Sequence, residues 1–159
     1  MATHYRLGRH TLRYSPGHEE KMIDKSVFYR AGYKYQLAKD LHAETAIRPD
    51  RDIDTEYIKL DTLGNLTIKE GYASDGPSGP TIDKPDSMRG AFIHDAKYQL
   101  IREQWIAKNW KATADIELRT DLVLDGMSKI KAELWYIGVR FFAYSATEPY
   151  NEPKVIEAP

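Results

Sequence analysis

The alternation of apolar and polar residues changes its period part-way along the chain. Between Val27 and Ile47, and in the runs Tyr57–Leu60 and Leu66–Lys69, apolar residues alternate with polar ones, as on half-buried strands. The last two runs flank Asp61-Thr-Leu-Gly-Asn, a glycine-containing connection that predicts a hairpin. The front half therefore predicts a small antiparallel sheet.

After Pro85 the apolar spacing becomes helical. Three helices are predicted: one capped by Asp86 or Ser87 and ending near Glu103, one from Lys111 to about Leu124 that ends or kinks at Gly126, and one from Lys129 to about Tyr144. The third is apolar nearly all round, so we expect it to be the most buried helix. Sheet first and helices afterwards predict an α+β fold.

The two ends of the chain differ from the middle. Residues 1–25 are polar and basic, and residues 146–159 are punctuated by prolines. We predict an N-terminal arm over 1–25, a single α+β domain over 26–145 and an extended tail over 146–159. The composition of both ends predicts that they contact other chains rather than their own domain.

Composition excludes several classes of protein. The chain has 159 residues, 23 Lys and Arg, 24 Asp and Glu, and no cysteine, which excludes disulfides, thiolate metal sites and cysteine nucleophiles. Its net charge of −1 predicts no nucleic-acid partner. No apolar run reaches the roughly 18 residues that a membrane-spanning helix needs. The first residues lack the apolar core of a signal peptide, so we expect synthesis in the cytoplasm without classical secretion.

The candidate chemistry lies on the first two predicted helices. His94 and Tyr98 are one turn apart and share a face, with Asp95 next to His94. Asp115, on the second helix, can reach His94 if the two helices pack antiparallel. A carboxylate on one imidazole nitrogen leaves the other free to take a proton from water. Two interpretations stay open: a general base with its orienting carboxylate, or a polar network that only ties helices together.

A loop rich in glycine and proline, Ser74-Asp-Gly-Pro-Ser-Gly-Pro, separates the sheet from the helices. Its backbone oxygens and Asp75 could hold a calcium ion beside Asp95, or the loop could be only a rigid connection. There is no phosphate loop, dinucleotide fingerprint or G-x-S-x-G motif. Four other histidines have no metal-ligand spacing and are predicted surface residues: His4, His10, His18 and His42.

From about Tyr33 to Ala146 the chain resembles a phage and prophage family known as the domain of unknown function 1353 family. The segments that carry this resemblance are Gly71–Asp83, Met88–Arg102, Ala114-Asp115, Asp125-Gly-Met-Ser and Val139–Phe142. The resemblance implies a tailed-phage or prophage origin and says little about biochemistry.

His94-Asp95-x-x-Tyr98, followed by Asp115 on the next helix, is more distantly similar to the pattern of secreted and viral phospholipases A2. That resemblance implies that His94 is the base, Asp95 the calcium ligand and Asp115 the residue that orients His94. Tyr98 would buttress the network, and the loop Ser74–Pro80 would supply carbonyls. The loop departs from that family because it is proline-rich and lacks the glycine-x-glycine calcium pattern.

Three functions follow as expectations. The first is a virion component of the tail or baseplate, made in the host cytoplasm, whose partners are other phage structural proteins or copies of itself. The second is a calcium-dependent ester hydrolase that acts in envelope penetration or lysis, and the third is a non-virion accessory phage protein. A hydrolase predicts that the free nitrogen of His94 faces a cleft and that Asp95 turns toward the loop. A scaffold predicts a sealed His94 and an Asp95 paired with an arginine such as Arg89 or Arg102.

Overall fold

A computed structural model describes residues 29–30, 35–74 and 85–149. The predicted N-terminal arm, Asp75 with the rest of the loop through residue 84, and residues 150–159 lie outside these ranges. The first residues of the predicted tail are described, and they pack back on the domain. Thr147 is buried, and the guanidinium of Arg102 donates a hydrogen bond to the carbonyl oxygen of Ala146 at 3.2 Å.

Short strands fill the front half of the described chain. They are β1 (Tyr29–Arg30), β2 (Tyr35–Leu37), β3 (Leu41–Glu44), β4 (Ile53–Asp54), β5 (Ile58–Leu60), β6 (Asn65–Ile68) and β7 (Ala73–Ser74). They form two antiparallel sheets, with strand orders β1-β2-β7 and β3-β6-β5-β4. The predicted hairpin is β5–β6, in which Leu60 lies opposite Leu66. Its turn contains Gly64 at φ +83°, a conformation that glycine adopts without steric cost.

Three helices follow: α1 (Pro85–Arg102), α2 (Lys111–Leu124) and α3 (Lys129–Phe142). Sheets followed by three helices confirm the predicted α+β fold. The predicted cap of α1 is wrong by one or two residues, because Asp86 and Ser87 lie inside the helix. Pro85 takes its first position, where a missing N–H costs nothing. Gly126, at φ +107°, follows the end of α2 as predicted.

Helix α1 is the centre of the fold. One side of it packs on the sheets, where Phe92, Ile93 and Leu100 join the buried aliphatic side chains of the strands. On another side Gly90 lets α2 approach closely, because a Cβ at that position would lie 3.3 Å from the side chain of Leu122, which is tighter than an ordinary contact, and 3.6 Å from that of Leu118. The residues between these contacts, including His94 and Tyr98, are therefore enclosed between elements.

The prediction that the third helix is the most buried is wrong. Of α3 only Ala132 is buried, whereas Ile130 is 78% exposed, Leu134 63%, Phe141 71% and Phe142 84%. The helix packs chiefly on α2, through Ala132 and its partly buried neighbours Trp135 and Val139. Apolar composition predicted burial on every side, but α3 lies at the margin of the domain and has one packed face. Within residues 35–74 and 85–149 no helix is long and apolar enough to cross a membrane.

Candidate functional site

Helices α1 and α2 bring three of the predicted site residues together. His94 and Tyr98 lie one turn apart on α1, and Asp115 faces them from α2; all three are buried. Asp115 Oδ1 accepts a hydrogen bond from the Tyr98 hydroxyl at 2.6 Å and lies 3.2 Å from His94 Nε2. The rings of His94 and Tyr98 are in contact, with centroids 4.0 Å apart. The contact expected among these residues is therefore present.

The other oxygen of Asp115 binds a lysine that the sequence analysis did not single out. Lys111 Nζ donates to Asp115 Oδ2 at 2.9 Å and to the carbonyl oxygen of Val139 at 3.0 Å, and Lys111 is itself buried. Arg140 Nη1 lies 3.8 Å from the same carboxylate oxygen. The sequence does contain a pattern that predicts this contact, because Lys111 and Asp115 are four residues apart on one predicted helix and therefore share a face.

These donors keep Asp115 ionised. Burial alone would raise the pKa of Asp115, but hydrogen bonds from His94, Tyr98 and Lys111 outweigh it and lower the pKa below its usual range. Burial and the hydrogen bond to Asp115 raise the pKa of Tyr98, which therefore stays a neutral donor. A buried carboxylate with this many donors has one preferred orientation, and it holds the imidazole of His94 through Nε2.

The second imidazole nitrogen of His94 faces Asp95. Nδ1 lies 4.0 Å from Asp95 Oδ1, and the Asp95 side chain is 37% exposed. The hydroxyl of Ser74, at the end of β7, donates to Asp95 Oδ2. Because an ionised Asp115 only accepts hydrogen bonds, His94 presents its proton at Nε2, and neutral imidazole then has its lone pair at Nδ1. The acceptor nitrogen therefore faces a carboxylate that solvent reaches.

The two arginines named as examples of partners for Asp95 in a scaffold bind other groups. Arg89 donates to Asp125 at 2.8 Å and to Asp121 at 2.9 Å. Arg102 donates to the backbone at Ala146. The orientation of Asp95 toward Ser74 matches the expectation for a hydrolase, whereas the burial of His94, which is 5% exposed, matches the expectation for a scaffold.

Most of the predicted calcium site lies outside the described residues. Among them no group of three or more His, Asp and Glu side chains could hold a metal ion. Asp95 offers one carboxylate, Asp75 lies outside the described ranges, and calcium takes about six to eight oxygen ligands.

Another ion pair, between a buried lysine and a partly buried glutamate, joins the helices to the larger sheet, and the sequence analysis missed it. Lys97 Nζ, on α1, donates to Glu117 Oε2 on α2 at 2.6 Å. Glu117 also accepts from the Thr45 hydroxyl and the Ala46 amide, both at 2.6 Å. The pair therefore links α1 and α2 to the residues that follow β3. His42, the one predicted surface histidine in the described ranges, is exposed and bonds Thr67 at 3.0 Å.

Comparison with models of protein families, with curated proteins and with solved structures found no match to this chain. Both resemblances drawn from the motifs therefore stay predictions. The arrangement of His94, Asp95 and Asp115 is the observation from which function can be argued.

Proposed function

We propose that this chain is an ester hydrolase in which His94 activates water, as in the phospholipase A2 pattern that its motif resembles. One observation carries the proposal: His94 is held at Nε2 by ionised Asp115, and its Nδ1 faces the partly exposed Asp95. A histidine held in this way has the tautomer and orientation that a general base needs.

The reaction follows from the two nitrogens of His94. Nδ1 takes a proton from water as the water oxygen attacks the carbonyl carbon of the ester. The imidazolium that forms is stabilised by the negative charge of Asp115. When the tetrahedral intermediate collapses, Nδ1 returns the proton to the departing alkoxide, the ester C–O bond breaks, and an acid and an alcohol leave.

Asp115, Tyr98 and Lys111 are positioning residues in this scheme. Tyr98 and Lys111 donate to the two oxygens of Asp115, at 2.6 and 2.9 Å, so the carboxylate cannot turn away from His94 without breaking a buried hydrogen bond. Stranding a buried donor of this kind costs about 1–3 kcal/mol. That cost keeps the His94–Asp115 geometry in place before substrate binds.

The substrate class comes from the motif resemblance rather than from a cavity. A phospholipid ester is the natural candidate, and the phage resemblance makes envelope penetration or lysis the setting for the reaction. The experiment below compares hydrolysis in the presence of calcium with hydrolysis in the presence of a chelator.

A structural role in a phage particle is the second candidate, and the burial of His94 favours it. In that case the hydrogen bonds to Asp115 serve only to satisfy buried polar groups. The tail or baseplate position and the accessory role both stay predictions, since they rest on the resemblance.

The deciding experiment measures ester hydrolysis by the full chain, on a soluble aryl ester and on phospholipid vesicles, with calcium and with a chelator. The variants are His94→Gln and, as a matched control, His42→Gln, which changes an exposed histidine on the sheet. We expect His94→Gln to lower the rate about 100- to 10,000-fold, the contribution typical of a general base, and His42→Gln to leave it unchanged.

Thermal unfolding of both variants accompanies the assay, so that a rate loss is read only from folded protein. Equal background rates for wild type and His94→Gln, with and without calcium, would exclude the hydrolase and leave the structural role.

A further inference from the structure

Helix α3 carries an apolar stripe that faces away from the domain. Ile130, Leu134, Ile137 and Phe141 recur every three or four residues, so they share one side of the helix, and all four are exposed. The side that packs on α2 is the opposite one, which carries Ala132 and Val139. We call these four exposed residues the α3 stripe.

The stripe continues into an aromatic end. Phe142 and Tyr144, at and just beyond the last turn of α3, are also exposed. A continuous apolar patch of this kind, which costs solubility, marks a binding surface in soluble proteins more often than isolated exposed residues do. Burying such side chains again is favourable by roughly 25 cal/mol per Å² of apolar surface, so the stripe has a strong driving force to find a partner.

The charges beside the stripe indicate what that partner is. Lys129 and Lys131 flank it at one end and Arg140 at the other, and the side chains of all three are exposed; Arg140 also lies 3.8 Å from the carboxylate of Asp115. The single carboxylate of α3, on Glu133, is paired with Arg119 of α2 at 3.0 Å. Among the charged residues of α3, those beside the stripe are therefore mainly basic.

A second copy of the chain fits this surface poorly. Two stripes packed in parallel would place Lys129 and Lys131 beside the same residues of the other copy, and antiparallel packing would place them near its Arg140. Like charges that face each other across an interface oppose association. An anionic surface has the opposite effect, because it attracts Lys129 and Lys131 while it covers the apolar side chains.

We propose that the α3 stripe binds the surface of an anionic lipid bilayer, with α3 lying in the plane of the headgroups. An apolar face flanked by Lys and Arg is the pattern of helices that lie in a membrane interface. The exposed rings of Phe141, Phe142 and Tyr144 are suited to the same depth, where aromatic side chains are enriched. This binding goes beyond the proposed hydrolysis and does not depend on it.

The test is co-sedimentation of the full chain with vesicles of phosphatidylglycerol and phosphatidylcholine, compared with vesicles of phosphatidylcholine alone. We expect binding to the anionic vesicles that weakens as salt is added. Leu134→Gln and Phe141→Gln should each weaken it about ten-fold or more, the effect of withdrawing one large apolar side chain. Lys131→Gln should weaken it about five-fold, the effect of one cation near an anionic membrane surface.

The matched control is Leu63→Gln, which changes a similarly exposed leucine in the hairpin turn. It should bind vesicles as wild type does. No sedimentation with anionic vesicles, or an equal loss in Leu63→Gln, would overturn the proposal.

Two further measurements exclude other occupants of the stripe. Sedimentation equilibrium without lipid should show a monomer; a dimer that Leu134→Gln dissociates would assign the stripe to a second copy. The unfolding temperature of Leu134→Gln should match that of wild type. A clear decrease would show that residues of the same chain cover the stripe, and would equally overturn the proposal.

Discussion

Replacing Asp115 by asparagine tests the electrostatics of the site without changing its shape. Asp115 is fully buried and its two oxygens accept hydrogen bonds from His94, Tyr98 and Lys111. The amide of asparagine has one acceptor oxygen, so its NH₂ group must face donors on one side or the other. The buried ammonium of Lys111 also loses its negative partner. Arg140, whose Nη1 lies 3.8 Å from Asp115 Oδ2, is a second cation and cannot replace the lost carboxylate.

Breaking a buried ion pair by removing one partner costs about 3–5 kcal/mol, and we expect Asp115→Asn to destabilise the fold by that amount. Adding Lys111→Met removes the stranded cation. The double variant should therefore be more stable than Asp115→Asn alone, with a remaining loss of about 1–3 kcal/mol from the unsatisfied groups around His94 and Tyr98. Lys111→Met by itself removes the nearer of the two cations beside buried Asp115 and should also be destabilising.

Urea unfolding at pH 7, followed by the fluorescence of the three tryptophans, gives the free energy of unfolding of each variant. The urea concentration at the unfolding midpoint should fall, with little change in the slope of the unfolding free energy against urea concentration. A loss below about 1 kcal/mol for Asp115→Asn, or a double variant less stable than the single one, would refute a charged Asp115 held by Lys111.

Three further predictions concern stability. The pKa values of Asp115 and Glu117 are lowered from their usual 3.8 and 4.5. The stabilisation that the two carboxylates provide is therefore present above those values and is lost as the pH falls through the lowered pKa. The free energy of unfolding, measured against pH, should decline below about pH 4. Leu122→Ala should lower the free energy of unfolding by about 2–5 kcal/mol because Leu122 is fully buried. Leu134→Ala should change that free energy by no more than about 0.5 kcal/mol because Leu134 is exposed. Equal urea midpoints for the two variants would contradict the exposed position of α3. Gly64→Ala should lower the unfolding temperature. A residue with a side chain is less stable by roughly 1–2 kcal/mol at this positive φ, and a Cβ would also meet the backbone and a neighbouring arginine. An unchanged unfolding temperature would contradict the turn geometry.

The two proposals meet at α3. The carbonyl of Val139 binds Lys111, and Arg140 lies near Asp115, so the helix proposed to contact lipid also contributes to the surroundings of the candidate site. If both proposals hold, vesicles that bind α3 bring ester bonds close to the domain that carries His94. A variant such as Leu134→Gln would then lower hydrolysis of vesicles while it leaves hydrolysis of a soluble ester unchanged.

Much of the secondary structure and part of the site follow from local sequence patterns. Strand alternation and the glycine in the β5–β6 connection predicted the hairpin, and helical spacing placed α2 at its observed bounds. The pairing of His94 with Tyr98 follows because residues four apart share a helix face. These features depend on residues a few positions apart, and local geometry is sufficient to relate them.

Contacts between distant segments could not be read from the sequence in the same way. Lys97 and Glu117 carry charges that normally indicate solvent, yet they are paired between two helices and a sheet. The apolar residues of α3 indicate burial, yet four of them form the exposed stripe. Composition tells how strongly a residue avoids or prefers water, whereas its actual exposure depends on which other elements pack against it, and that is decided by the arrangement of the whole chain.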